Sequence, residues 1–207
     1  MSPPKIAIID YGAGNLRSVV NAFEKVGFAG SVTTNPKDVL KADAVVLPGV
    51  GAAGDTMTSL GARGMIPAIK ETIARKKPFF GVCLGLQLLF DTSEEGSTEC
   101  LGVLAGTVRH FPGTVKSPHM GWNQVRLKGN EPLFEGVPND TNFYFVHSYY
   151  AEPADKKFVA GETDYGVTFC SVYVKGNLVA TQFHPEKSGD FGVKLYANFV
   201  TNVVGAR

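Results

Sequence analysis

The chain has 207 residues, enough for one large domain or two small ones, and 44% of them are hydrophobic, enough for a buried core. A formal net charge of +1 leaves neither a nucleic-acid footprint nor an acidic tail, and no apolar run approaches the ~20 residues that span a membrane. The three cysteines, Cys83, Cys100 and Cys170, show no C-x-x-C spacing, so neither a disulfide framework nor a metal site is expected, nor any cofactor. With no secretory signal at the start, the simplest setting is the cytoplasm.

In chain order, "KIAIID" (5–10) is a β-branched run that reads as a buried first strand. Leu16, Val19, Phe23 and Val26 then fall on one helical face, which Gly27 ends. "SVTT" and "ADAVVLPG" (42–49) read as the second and third strands. "MIPAIKETIARKK" reads as a helix with Pro67 in its first turn. "PFFGVC" is a fourth strand and "LGLQLLFDTSEE" (84–95) a helix. Strands alternating with helices predict a parallel sheet covered on both faces. Beyond about residue 100 the pattern changes. "NQVRLK", "NFYFVHSYY", "KFVAGETDYG", "VTFCSVYVKG" and "NLVATQFHPE" read as strands, "KGN" (175–177) as a hairpin turn, and "DFGVKLYANFVTNVV" as an amphipathic helix. The expectation is one α/β domain over residues 1–207, with a mixed, mostly parallel central sheet flanked by helices and extra antiparallel strands in its C-terminal half.

"GVCLG" (81–85) sits where the fourth strand meets its helix. G-x-C-x-G at such a junction has the form of a nucleophile elbow with cysteine as nucleophile. The tight turn leaves no room for side chains at the flanking glycines. The helix start favours the thiolate of Cys83, and the Leu84 N–H is placed to stabilise an oxyanion. A small buried cysteine in a glycine-rich turn gives the same string, so the motif needs a base elsewhere.

Of His110, His119, His147 and His184, His184 fits that need. It ends a strand-like run and is followed by Pro185 and Glu186. A histidine takes the thiol proton and returns it to a leaving group, and a carboxylate fixes its tautomer. In an extended segment, residues two apart face the same way, so Glu186 is the expected orienter. An H-P turn with a solvated glutamate is the rival reading of this string alone. The order nucleophile, histidine, acid differs from that of α/β-hydrolases. His147 reads better as a hydrogen-bonded strand histidine than as a second base.

"LPGVGAAGD" (47–55) follows the third strand at the end of the sheet where open α/β folds bind ligands. Gly49 and Gly51 let a peptide at Val50 or Gly51 turn its N–H toward a ligand, which with Leu84 completes an oxyanion hole. The loop lacks the form of a phosphate-binding motif. A plain β-α turn is the alternative.

Taken together, "PGVG", "GVCLGLQLLF" and "FHPEKS" resemble the oxyanion loop, elbow and His-x-Glu of the class I (triad) glutamine amidotransferases. "DYGAGNLRSV" (10–19), "PHMGWN" (118–123) and "YFVHSYY" (144–150) are similar to the glutaminase subunits of imidazole glycerol phosphate synthases, enzymes of histidine biosynthesis. The resemblance implies a flavodoxin-like fold and hydrolysis of glutamine to glutamate and ammonia. It gives Cys83 the role of forming a glutamyl thioester, His184 proton transfer and Glu186 orientation of the histidine. Gly49, Gln87, Ser148 and Tyr149 would hold glutamine, although a glutamine one turn beyond Cys83 is equally well ordinary helix polarity. The partner implied is a cyclase subunit with a (β/α)8 barrel, bound as a heterodimer near Asn15, Met120, Trp122 and Lys175. It would turn the ammonia into imidazole glycerol phosphate and aminoimidazole carboxamide ribotide. Read without the resemblance, Met120 and Trp122 are core residues. The glycines of "PGVG" further suggest a peptide that turns inward only when the partner is loaded. An amidotransferase serving another synthase and a free-standing cysteine hydrolase remain the rivals, with "DYGAGN" and "PHMGWN" against the first.

Overall fold

The computed structural model describes residues 3–12 and 14–205. Its first half builds β1 (Ile6–Ile9), α1 (Leu16–Lys25), β2 (Gly30–Thr33), α2 (Pro36–Lys41), β3 (Ala44–Leu47), α3 (Ala53–Ala62), α4 (Met65–Ala74), β4 (Phe79–Val82) and α5 (Leu84–Gln87). The strands β5 (Thr92–Ser93), β6 (Thr98–Glu99), β7 (Gly106–His110), β8 (His119–Leu127), β9 (Thr141–His147), β10 (Tyr149–Pro153), β11 (Val159–Asp164), β12 (Thr168–Lys175) and β13 (Leu178–Thr181) follow. The chain closes with α6 (Gly189–Asn198), which continues as a π turn over Phe199–Val203.

Five strands in the order β2-β1-β3-β4-β13 run parallel. The runs of β1, β3, β4 and β13 are buried throughout because helices cover both faces, whereas the edge strand β2 is partly exposed. The two-residue period divides them: Ile6, Ile8, Val46, Phe80 and Val82 face Phe23 of α1 and Tyr196 of α6. Ala7, Ile9, Val45, Leu47 and Phe79 face Val39, Leu60 and Ile69 of α2 to α4. Beyond β13 the sheet continues antiparallel through β12, β10 and β7, and β11 leads from β12 to the β8–β9 ribbon. The hairpin expected at residues 175–177 joins β12 to β13, with Lys175 opposite Leu178.

Three local expectations change. First, α2 and α3 are additional helices. The Asn35 side chain accepts the Lys37 N–H to cap α2. No local side chain caps α3; Glu95, 42 residues away, accepts the Ala53 N–H at 2.8 Å. Second, the helix expected over 84–95 ends at Gln87. The carbonyls of Leu88, Leu89 and Phe90 accept N–H groups from Leu101, Gly102, Val103 and Leu104 at 2.8–2.9 Å, so a returning loop satisfies the helix end in place of further turns. Third, "NFYFVHSYY" breaks at Ser148: β9 pairs with β8, whereas β10 pairs with β7 and β12. Among the described residues, no helix is long and apolar enough to cross a membrane.

Candidate active site

Cys83 stands at the carboxyl end of β4, between two parallel neighbours. Its backbone has φ 52 and ψ −108, a conformation that costs a non-glycine residue energy and is the mark of a nucleophile elbow. Its N–H donates to the Thr181 carbonyl of β13 at 2.7 Å, which ties the turn to the sheet. The flanking glycines are required by close approach. A Cβ on Gly81 would lie 2.8 Å from the Gly85 carbonyl oxygen, and one on Gly85 would lie 2.0 Å from that of Leu47. As the first residue of α5, Leu84 keeps its N–H out of the helix ladder.

His184 follows β13, the strand beside β4, and its N–H donates to the Tyr144 carbonyl at 2.9 Å. Its Nδ1 is 2.8 Å from Glu186 Oε1, and both side chains are buried. The pairing arises differently from the expected extended segment: Pro185–Lys187 form a 3-10 turn that folds Glu186 back under the ring. Glu186 is held by two more groups, Asn15 Nδ2 at 3.2 Å and the Tyr196 hydroxyl at 3.5 Å. The other imidazole nitrogen, Nε2, is buried with no hydrogen-bond partner among the described residues. Burial disfavours a charged imidazole here, but the neighbouring Cys83 sulfur and the Glu186 carboxylate outweigh it, raising the His184 pKa from 6.5 to about 10.

A cavity of about 310 Å³ opens over the sulfur and is lined by Gly49, Val50, Gly51, Cys83, Leu84, Gln87, Ser148, Tyr149 and His184, among others. That is the size and concavity of a small-molecule site. The expected nucleophile, base, oxyanion donors and glutamine-holding residues therefore converge on one space. The oxyanion hole differs in one respect. The Val50 N–H donates to the Tyr11 hydroxyl at 3.1 Å, and that hydroxyl lies 3.3 Å from the Val50 carbonyl. Of the two expected second donors, Val50 and Gly51, the first is thus engaged by Tyr11. Gly49 serves close packing, since a Cβ there would lie 2.3 Å from the Gly85 nitrogen. The Gln87 amide nitrogen is also committed, donating to the Tyr149 carbonyl at 2.7 Å and to Gln182 Oε1 at 3.1 Å.

Four residues near the site escaped the sequence reading. Gln182, fully buried, places its Nε2 3.6 Å from Cys83 Sγ. Its only sequence signal was its place two residues before His184. Tyr11 and Tyr196 come from the opposite ends of the chain; Tyr11 falls inside "DYGAGNLRSV", but nothing in the sequence singled out either ring. Lys187, next to Glu186, has its Nζ 5.9 Å from the centre of the Tyr144 ring.

The four residues assigned to a partner surface do not lie together. Met120 and Trp122 are 63% and 58% exposed on the outward face of β8 that also carries Gln124 and Arg126, so neither belongs to the core. Trp122 meets the edge of Tyr144, with ring centroids 6.2 Å apart. Both are among the large apolar side chains that the described residues leave exposed. Asn15 is half-buried and its amide holds Glu186, which puts it beside the catalytic group. Lys175 lies at the other end of the sheet from Cys83. It is opposite Leu178, which pairs with Phe79 at the start of β4, whereas Cys83 follows the end of that strand. Among the described residues, no three His, Cys, Asp or Glu side chains gather to hold a metal ion.

The chain matches the family model described as "Glutamine amidotransferase class-I" over residues 7–203. It is 54% identical over 201 residues to "Imidazole glycerol phosphate synthase subunit HisH" of Dehalococcoides mccartyi (strain CBDB1), covering 97% of this chain and 98% of that protein. It is 50% identical over 200 residues to the protein of the same description from Chloroflexus aurantiacus (strain ATCC 29364 / DSM 637 / Y-400-fl), with 94% of each covered. Among solved structures, "Structure of PurLQS from Thermotoga maritima" superposes with a TM-score of 0.75 at 20% identity, over 97% of this chain and 99% of that one. A structure described as "Crystal structure of glutamine amidotransferase" superposes with a TM-score of 0.76 at 16% identity, over 97% and 99% of the two chains. These structural likenesses bear on the fold.

Proposed function

The chain belongs to the class I glutamine amidotransferase family, and from that premise we propose that it is the glutaminase subunit of an imidazole glycerol phosphate synthase, acting in histidine biosynthesis. The observation that carries the chemistry is Cys83 on its strained elbow beside a buried His184–Glu186 pair 2.8 Å apart. Glutamine enters the cavity with its side-chain amide over Cys83. The Cys83 sulfur attacks the amide carbon, the C–N bond breaks, and His184 gives its proton to the departing nitrogen, leaving a glutamyl thioester and ammonia. Water, deprotonated by His184, then cleaves the thioester to glutamate and returns the thiol. Glu186 holds the ring throughout, and Asn15 and Tyr196 hold Glu186.

The Leu84 N–H supplies one oxyanion donor. A second, worth about 3 kcal/mol of transition-state stabilisation, becomes available when the Val50 peptide leaves Tyr11. In this reading the donor is gained on binding the partner, which ties glutamine hydrolysis to the presence of an ammonia acceptor. The partner is a cyclase subunit, built as a (β/α)8 barrel and docked as a heterodimer on the face carrying Met120 and Trp122. It takes the ammonia to form imidazole glycerol phosphate and aminoimidazole carboxamide ribotide. The near-neutral charge supports a protein partner over a nucleic acid, the three free cysteines support a cytoplasmic setting, and the full chain acts as one amidotransferase domain.

The test is glutamate release from glutamine by the purified chain, alone and with a cyclase subunit carrying its nucleotide substrate. Strong stimulation that disappears in Cys83→Ala is expected. A folded wild-type protein that releases no glutamate with this partner would overturn the reading.

A further inference from the structure

Two buried histidines beside the cavity, His119 and His147, take no part in the reaction above. They lie opposite each other on β8 and β9, with His119 Nδ1 3.1 Å from His147 Nε2. The ends of this pair determine where its protons are. His147 Nδ1 is 2.7 Å from the Tyr149 carbonyl oxygen; a carbonyl only accepts, so Nδ1 carries the proton. At the outer end, Asn123 Oδ1 accepts the Gln124 N–H at 2.8 Å and Asn123 Nδ2 donates to the Asp164 carbonyl at 3.1 Å, which fixes the amide orientation. The second hydrogen on Nδ2 is then available to His119 Nε2 at 3.2 Å, and that nitrogen accepts. His119 therefore donates from Nδ1 to His147 Nε2. The bonds share one direction, from Asn123 through His119 and His147 to the Tyr149 carbonyl, and both rings are neutral Nδ1–H tautomers. Burial acts in the same sense, pushing His119 down to about 4 and His147 to about 3.

The Tyr149 carbonyl is also a junction. It accepts Gln87 Nε2 at 2.7 Å, that nitrogen reaches Gln182 Oε1 at 3.1 Å, and Gln182 Nε2 lies 3.6 Å from Cys83 Sγ. We infer that His147 is a positioning residue for the glutaminase reaction: held in one tautomer by His119 and Asn123, it fixes the Tyr149 carbonyl and, through Gln87 and Gln182, the placement of the Cys83 sulfur. It is no second base, because both of its ring nitrogens are committed. Asn123, at the outer end, directly follows the exposed Trp122 on β8 with its side chain on the opposite face of the strand, so the chain of bonds begins behind the face that carries Met120 and Trp122.

The inference rests on the glutaminase reading, and its test has arms that do not. An asparagine at position 147 keeps a donor near the Nδ1 position, a glutamine keeps a polar group only near Nε2, and a phenylalanine keeps only the ring. With the cyclase present, His147→Phe and His147→Gln are expected to lower kcat about tenfold to a hundredfold with little change in KM, and His147→Asn to recover most of it. Alkylation of Cys83 by iodoacetamide should rank the variants in the same order. Nitrogen NMR of the imidazoles near neutral pH should report Nδ1–H tautomers for both rings. Equal loss in His147→Asn and His147→Phe at equal folded fraction would make the role merely structural and overturn the inference. Wild-type kcat and alkylation rate in His147→Phe, or an Nε2–H tautomer at His147, would overturn it too. A wild-type chain that releases no glutamate refutes the glutaminase reading, while the alkylation and tautomer arms still decide whether His147 positions Cys83.

Discussion

Replacing Tyr11 by phenylalanine should raise the glutaminase activity of the isolated chain. The Tyr11 hydroxyl meets both polar groups of one residue, the Val50 N–H at 3.1 Å and the Val50 carbonyl at 3.3 Å. For Val50 to present its N–H to an oxyanion over Cys83, the N–H contact must be given up; the carbonyl contact belongs to the next peptide. A neutral hydrogen bond contributes about 0.5–1.5 kcal/mol net, so this contact holds the peptide by about 1 kcal/mol. Removing the hydroxyl shifts the balance toward the inward peptide by about twofold to twelvefold. Tyr11 is buried in the same apolar cluster as Val39 and Leu60, and phenylalanine keeps that ring, so the change is confined to what the hydroxyl touches, Val50 and Thr56. The assay is steady-state glutamate release by wild type and Tyr11→Phe, alone and with saturating cyclase and nucleotide. The variant should gain without the partner and stay near wild type with it, because the stimulated enzyme has already released the contact. A folded Tyr11→Phe protein whose partner-free kcat is unchanged or lower would refute the argument that this hydroxyl restrains the donor.

Glu186→Gln keeps a hydrogen-bonding group beside His184 but removes the charge that steadies the imidazolium. A loss of about a hundredfold or more in kcat is expected, with the melting temperature nearly unchanged; near-wild-type turnover would remove Glu186 from the triad. On the docking face, Trp122→Ala should weaken cyclase binding about thirtyfold or more by titration calorimetry, as loss of a central aromatic anchor does. Lys175→Ala, at the far end of the sheet, should leave that affinity unchanged, and the reverse pattern would move the interface. The pH dependence of stability should carry the signature of His119 and His147, whose folded pKa values lie at about 4 and about 3, below the ordinary 6.5. Below pH 6.5 the unfolded chain binds protons that the folded chain refuses. Their contribution is therefore full above that pH and falls on acidification toward 4, by up to about 1.4 kcal/mol per pH unit for each ring. Urea midpoints between neutral and mildly acid pH should fall less steeply in His147→Asn, which removes one of the two; parallel slopes would count against burial as the cause.

Several features of this protein were legible in the sequence because they depend on residues close together in the chain. The apolar runs of β1, β3 and β4 declare a sheet buried on both faces, and "GVCLG" declares an elbow because Gly81 and Gly85 are needed within the turn itself. "FHPEKS" carries base and acid within one turn, although that turn proved to be 3-10 rather than extended. What remained hidden are contacts between residues far apart in sequence. The length of α5 is set by N–H groups of residues 101–104, and α3 is capped by Glu95. The split of "NFYFVHSYY" at Ser148 depends on which strands stand on either side. Asn15 reads as surface until the fold brings it 3.2 Å from a carboxylate 171 positions away. The same holds for Tyr11 on Val50 and for Gln182 beside Cys83: a side chain's partner across the sheet leaves no periodicity or spacing in the chain. Sequence alone thus determined which groups can do the chemistry, because nucleophile, base and acid need particular side chains in particular turns. Only the tertiary structure decided what restrains and positions them, because hydrogen bonds between distant segments exist only once the sheet is assembled.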